Sequence, residues 1–304
     1  MSTAKQPSNN PSTFTLSDTD LQAYFSRLQL TFPTRPPPTL ATLNAIHLAH
    51  YCSIPFETLS IHYPKKPPTP STPPISSSLR DIVTKLVHNH RGGFCVENNT
   101  LLLAVLNTLG FTTRIVLARS LRPAAGWQGL THAVIVVRCA DAKDPSDLYL
   151  ADVGYGKDGT PSPLPLNGSM IDSKSHGCHR LSLATDETYP LVGSSSFSDF
   201  GVPSFYVMEH KPANSDSWTG FYGFTIAPAN DVDLRIVNFF SCLHPDATWV
   251  NNCVVRKSTP AQSMIYHGGK VMTYSDGALI ESETVGEGEA QKYFLDKFGL
   301  DVSK

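Results

Sequence analysis

Three residues stand in settings where their chemistry can be used together: Cys95, His132 and Asp152. Cys95 lies in the run RGGFCVENN, Arg91 to Asn99, directly ahead of an apolar stretch. Leu101, Leu102, Leu103, Val105, Leu106 and Leu109 recur with helical spacing, and Gly110 follows as a stop. The spacing predicts a helix with a broad buried face and Cys95 at or just before its start. Unpaired N–H groups and positive partial charge at a helix N-terminus favour a thiolate there, and Arg91 adds to the effect. Gly92 and Gly93 permit a tight backbone approach, with positive φ where a turn requires it. A lone cysteine at a helix start is most often structural. Its downstream partners change that reading.

Thr113 to Arg119, TRIVLAR, reads as a strand, and His132 to Cys139, rich in Val and Ile, reads as another. The turn-forming cluster DAKDPSD follows, then a third strand from Leu148 to Val153. The last two strands form an antiparallel hairpin. His132 opens one arm and Asp152 closes the other, so the open end brings them together. Asp152 can then hold one imidazole nitrogen while the other faces Cys95. That arrangement suits acyl transfer through a covalent thioester. The Cys95 N–H is a candidate donor to the oxyanion.

On these motifs the chain resembles the arylamine N-acetyltransferase family. The resemblance rests on RGGFCVENN, on Thr131-His132 ahead of a strand, and on DVGYG at Asp152 to Gly156. IPFETLS (Ile54 to Ser60), SPLPL (Ser162 to Leu166), FYGF (Phe221 to Phe224) and the stretch Asp231 to Pro245 support it, roughly from Leu21 to Leu279. The Pro/Ser-rich insertion and long loops fit a eukaryotic, fungal member. The family implies a ping-pong transfer of an acyl group from coenzyme A to an arylamine, arylhydrazine or N-hydroxyarylamine, a detoxification chemistry. Acetyl-CoA is the first expectation for the donor, with malonyl-CoA and propionyl-CoA as alternatives. By carry-over Cys95 is the nucleophile, His132 the base and proton shuttle, and Asp152 the orienting carboxylate. Phe56, Phe94 and Tyr155 match aromatic positions of the acceptor pocket. Gly129, Thr131 and His132 fall where the family meets the pantetheine arm. Phe240 and Asp246 fall where eukaryotic relatives contact coenzyme A through a tyrosine and a serine. An acidic Asp246 near a polyanionic donor is a departure from the pattern.

The resemblance also implies an α+β fold: an N-terminal helical bundle, a central β-barrel and a C-terminal α/β lid around a cysteine-protease-like core. The expected division is a disordered 1–15, a helical domain over 16–110, a barrel over 111–210 and a lid over 211–304. Punctuation agrees. Ser17 is placed to cap a first helix, a second runs from Leu40 to Cys52, and a third from Leu79 to His90. Between them the Pro-rich segment Pro64 to Pro74 reads as an exposed extended loop. The lid is expected to contain strands at Phe221 to Ile226 and Val271 to Tyr274, and a closing helix at Gly288 to Phe298.

Composition bounds the alternatives. With 304 residues, 40% of them hydrophobic, the chain can bury more than one core. A net charge of −2 gives no basic field for nucleic acid, and no apolar run reaches membrane-spanning length. Six cysteines without CxxC pairs suit reduced thiols in a cytoplasm. HGCH, His176 to His179, has no second matching pair, so no metal is expected. Two other readings remain: a cysteine hydrolase or transglutaminase-like acyl transferase independent of coenzyme A, and a degenerate binding scaffold. IPFETLS and DVGYG argue against the first, and the intact trio against the second.

Overall fold

The computed structural model describes residues 14–69, 72–122, 125–156, 159–184, 188–189, 205–275 and 277–304. Most of the leader expected to be disordered, residues 1–13, lies outside these. Phe14 and Leu16 already pack on the helical core. The Leu16 N–H donates to Thr108 Oγ1 at 2.8 Å, which ties the chain down before its first helix.

That helix, α1 (Asp18–Arg27), is capped by Ser17, whose Oγ accepts from the Asp20 amide at 3.1 Å. Next come α2 (Leu40–Ser53), the two-residue strand β1 (Phe56–Glu57) and the short α3 (Leu59–His62). The Pro-rich segment is exposed over 64–69 and at Thr72, with residues 70 and 71 outside the described set. The helix expected to reach His90 is shorter. α4 (Leu79–Val83) passes into one π-helical turn over Thr84–His88, and His90 takes φ 54°, which no helix continues through. α5 (Cys95–Leu109) follows and ends at Gly110 with φ 88°, the left-handed conformation that glycine adopts without penalty. It is buried on nearly every side, so its apolar residues are not confined to one stripe.

Among the described residues eight strands form the barrel sheet: β2 (Thr112–Arg122), β3 (Gly126–Arg138), β4 (Tyr149–Ala151), β5 (Leu164–Pro165), β6 (Ile171–Asp172), β7 (Cys178–Leu183), β8 (Tyr206–Lys211) and β9 (Thr219–Phe224). Their order is β5-β4-β3-β2-β9-β8-β7-β6, and the sheet curls until β5 lies alongside β7. The expected hairpin is present, with Ile135 opposite Ala151. His132, however, lies within β3 rather than at its start, because β3 continues back to Gly126 in a long pairing with β2. The strand expected to open the lid, Phe221 to Ile226, is a barrel strand. β9 pairs with β2 and β8, and its Tyr222 and Phe224 fill the barrel interior.

β3 explains its own composition. Ala133, Ile135 and Val137 face the helical core, while Val134 and Val136 face the barrel core. A strand buried on both faces must be apolar without alternation.

The remaining chain forms α6 (Asp231–Leu243), α7 (Thr248–Asn251), β10 (Val254–Ser258), β11 (Gln262–His267), β12 (Lys270–Ser275) and β13 (Ala278–Thr284). These four strands and β1 make a second sheet in the order β1-β10-β11-β12-β13. The C-terminal helix is a broken one: a 3-10 turn at Glu287–Glu289, α8 (Ala290–Tyr293), and a π turn at Phe294–Phe298. Among the described residues no cluster of three His, Cys, Asp or Glu is arranged to hold a metal ion. No helix of the described residues is long and apolar enough to cross a membrane.

Candidate active site

Cys95 begins α5 and is buried, and its Sγ lies 3.8 Å from the Thr131 carbonyl oxygen. His132, next along β3, places Nε2 at 2.8 Å from Asp152 Oδ2. That leaves Nδ1 for Cys95, which contributes to the ring's electrostatics. The three residues converge as the motif spacing suggested, although His132 is not at a strand end.

The electrostatics follow from burial and pairing. Burial alone would push the His132 imidazole down. The Asp152 charge, the hydrogen bond to it and the Cys95 thiol outweigh burial and raise the group from 6.5 to about 10. Burial likewise opposes the Asp152 carboxylate. His132, Asn99 and the Gly154 amide nevertheless hold it below its ordinary range. The pair is therefore imidazolium and carboxylate at neutral pH.

Several positioning residues are given no individual role by the sequence, although Asn98 and Asn99 end the run RGGFCVENN. Asn99 lies one helical turn after Cys95. Its Nδ2 donates to Asp152 Oδ1 at 2.8 Å and to the Ala133 carbonyl at 2.6 Å, while its Oδ1 accepts from the Val153 amide at 3.0 Å. The helix that begins with Cys95 thus holds the Asp152 carboxylate. His47 Nδ1 meets the Pro161 carbonyl at 3.1 Å, and its Nε2 accepts from the Asp152 amide at 3.2 Å. This ring must stay neutral, and burial lowers it to about 4. His50 connects Tyr24 Oη, 2.9 Å from Nδ1, to Asn98 Oδ1, 3.3 Å from Nε2. Asn98 in turn donates to the Gly93 carbonyl at 2.6 Å, and burial lowers His50 to about 3.

The glycine pair is required by space, not by φ. Neither Gly92 nor Gly93 has positive φ. A Cβ on Gly92 would lie 2.2 Å from the Pro55 carbonyl oxygen, and one on Gly93 would lie 2.7 Å from Glu97 Cβ. Around them runs a buried ionic network. Arg91 donates to Glu57 through Nε and Nη2 at 3.2 and 2.8 Å, and Lys85 pairs with Glu97 at 2.8 Å. Glu97 Oε2 also accepts from the Phe94 amide at 3.2 Å, which secures the first turn of α5.

A cavity of about 170 Å³ opens on the thiol. Gly129, Thr131, His132, Phe240 and Asp246, the positions assigned to the donor, all line it, as does Tyr155. The ring of Tyr155 meets His132 edge-on at 5.2 Å. Phe56 and Phe94 are not in its wall. Phe94 is wholly buried, and Phe56 packs edge-on against Trp249 at 5.1 Å. Trp249, Arg122, Ser120 and Gln128 line the cavity without having been singled out by sequence. Arg122, hydrogen-bonded to Thr248 Oγ1, supplies a cation on the same wall as Asp246.

Two outcomes are expected. A Cβ on Gly154 would lie 2.7 Å from Cys95 Cα, so Gly154→Ala should cost about 1–3 kcal/mol in denaturant unfolding and depress turnover further by displacing Asp152. His47 and His50 have folded pKa values below the unfolded 6.5, so unfolding takes up protons between pH 6.5 and about 4. Their stabilisation is complete above pH 6.5 and is lost as pH falls through that window. Urea midpoints measured from pH 7 to 4 should decline steadily, and a flat profile would remove the neutral-imidazole account.

This geometry has close counterparts. The N-acetyltransferase family model matches residues 39–304. The arylamine N-acetyltransferase of Mycolicibacterium smegmatis is 28% identical over 288 residues, covering 93% of this chain and 92% of that protein. An N-malonyltransferase of Gibberella moniliformis is 29% identical over 262 residues, covering 74% of this chain and 70% of its own. Among solved structures, an M. smegmatis arylamine N-acetyl transferase aligns with a TM-score of 0.77 at 27% identity, covering 93% of each chain. The match runs through both sheets and the helix that carries the thiol, and the chain belongs to the N-acetyltransferase family.

Proposed function

We propose that the protein transfers an acyl group from a coenzyme A thioester to an arylamine, arylhydrazine or N-hydroxyarylamine, with Cys95 as the acyl carrier. The observation that carries this reading is the convergence of Cys95, His132 and Asp152 at one cavity, with the imidazole between thiol and carboxylate. The Cys95 thiolate attacks the thioester carbonyl, and the Cys95 N–H, at a helix start without an intrahelical acceptor, faces the charge that develops. Collapse expels coenzyme A as its thiol, which takes the proton held on His132, and leaves an acyl-cysteine. The arylamine then attacks this second thioester, His132 removes the ammonium proton, and the acyl–sulfur bond breaks to return the Cys95 thiolate as the amide forms. Asp152 keeps the ring oriented and stabilises its charge throughout.

The cavity supports the assignment of both substrates. Tyr155 and Trp249 offer aromatic surface to the acceptor, with Phe56 backing Trp249. Arg122 offsets Asp246 on the wall assigned to the donor. It is also a cation available to a carboxylated acyl group, so malonyl-CoA stands beside acetyl-CoA as a donor. All six cysteines are free thiols, which supports action in the cytoplasm.

Intact-protein mass spectrometry without acceptor tests this directly. Acetyl-CoA or malonyl-CoA should leave one acyl adduct, mapped to Cys95 and discharged when an arylamine is added. Cys95→Ala should form no adduct while unfolding at the wild-type denaturant concentration. Near-normal turnover by that variant would end the covalent mechanism. Asp152→Asn should retain the adduct site but lose on the order of 10⁴-fold in rate, as read by single-turnover acylation.

A further inference from the structure

The reaction leaves a second cavity unused. It has a volume of about 260 Å³ and lies where the barrel meets the five-stranded sheet. His210 and Phe221 face it from the barrel, and Arg256, Ser263 and Ile265 from the other sheet. The loop that follows Asp152 separates it from the catalytic cavity. Tyr155 lines the catalytic side and donates through its hydroxyl to the Phe221 carbonyl at 2.9 Å, while Gly156 accepts from Arg256 Nη1.

Arg256 is 6% exposed, and it is the one side chain carrying a fixed charge among the described residues that line this cavity. Its Nη2 donates to the Tyr51 hydroxyl and, at 3.0 Å, to Ser263 Oγ. Its Nε has no hydrogen-bond partner, and no ion pair involves it among the described residues. A guanidinium taken out of water without a counter-charge carries a desolvation cost, which its hydrogen bonds and the Tyr51 ring, 5.0 Å from Cζ, offset only in part. A bound anion would offset that cost. The cavity offers one cation, hydroxyls from Ser175 and Ser263, and apolar surface from Phe221 and Ile265. A phosphate dianion calls for more positive charge than this and has no use for the apolar wall.

We propose that this cavity is a binding site for a small carboxylate bearing an apolar ring, with the carboxylate at Arg256 and the ring against Phe221 and Ile265. The proposal does not depend on the transferase chemistry, and its test is a binding measurement. Isothermal calorimetry with benzoate should show one saturable site on the full chain. Benzamide and inorganic phosphate should each bind about tenfold more weakly or worse. Arg256→Gln should abolish the benzoate isotherm. Ser175→Tyr, which narrows the cavity and leaves Arg256 in place, should abolish it as well and carries the test if Arg256→Gln does not fold. Absence of saturation by benzoate in the wild type overturns the proposal. So does benzamide or phosphate binding as tightly as benzoate, or benzoate binding that survives Ser175→Tyr.

Discussion

Everything in the site depends on how closely the first turn of α5 is pressed against the loop that leaves β4. Gly154 comes so near Cys95 that a single methyl group would overlap the backbone of that residue. Asn99 crosses the same seam with three hydrogen bonds, to Asp152, Ala133 and Val153. One side chain therefore fixes the helix to β3 and to the loop after β4, and orients the carboxylate as well. The thiol, the imidazole and the carboxylate come from three elements, yet their spacing is set at this one contact. Because Asn99 is buried with both ends of its amide engaged, leaving either end unpaired costs the full desolvation of a polar group.

The approach to that seam is held by charge. Arg91 and Glu57 are both buried, with Arg91 Nε and Nη2 both donating to Glu57 Oε1 and with Lys85 and Glu97 alongside. Such a network contributes less to stability than its Coulomb energy suggests, because four charges have been taken from water. Its contribution here is geometric. It locks β1 to the glycine pair and the glycine pair to the helix start. This is why the motifs around Phe56 and around Cys95, about forty residues apart in the chain, belong to one device. A cost in desolvation is converted into a fixed entry angle for α5.

Much of this was legible before any coordinates. The apolar spacing after Cys95 together with Gly110 set the bounds of α5, and the Val/Ile run after His132 marked β3, because both patterns are direct consequences of burial. What stayed hidden has equally physical reasons. β9 reads as the first strand of a new unit since nothing in its sequence tells which sheet will accept its edge. The π turn at Thr84–His88 keeps a helix-like pattern while shifting its ladder by one residue. Phe56 and Phe94 match pocket aromatics only through the family resemblance, and an aromatic ring looks the same in a core as in a wall. Trp249 reaches the cavity from an element far away in sequence, and Arg122 reaches it from the end of β2. His47 and His50 are read as two histidines on a helix, and only the fold reveals that both must remain neutral.

The double burial of β3 has a consequence for when the thiol becomes reactive. One face of that strand completes the core around α5, and the other completes the interior of the barrel. Neither half can reach its native packing while the other is unformed, since either would leave a row of Val and Ile in water. Helical half and barrel half are thereby one cooperative unit. Until that unit closes, Cys95 is an ordinary thiol among six, with no imidazolium beside it. On the proposed mechanism, a nascent or partly unfolded chain then presents no privileged nucleophile to cellular electrophiles, and the hazard of a reactive sulfur is confined to molecules that have already finished folding.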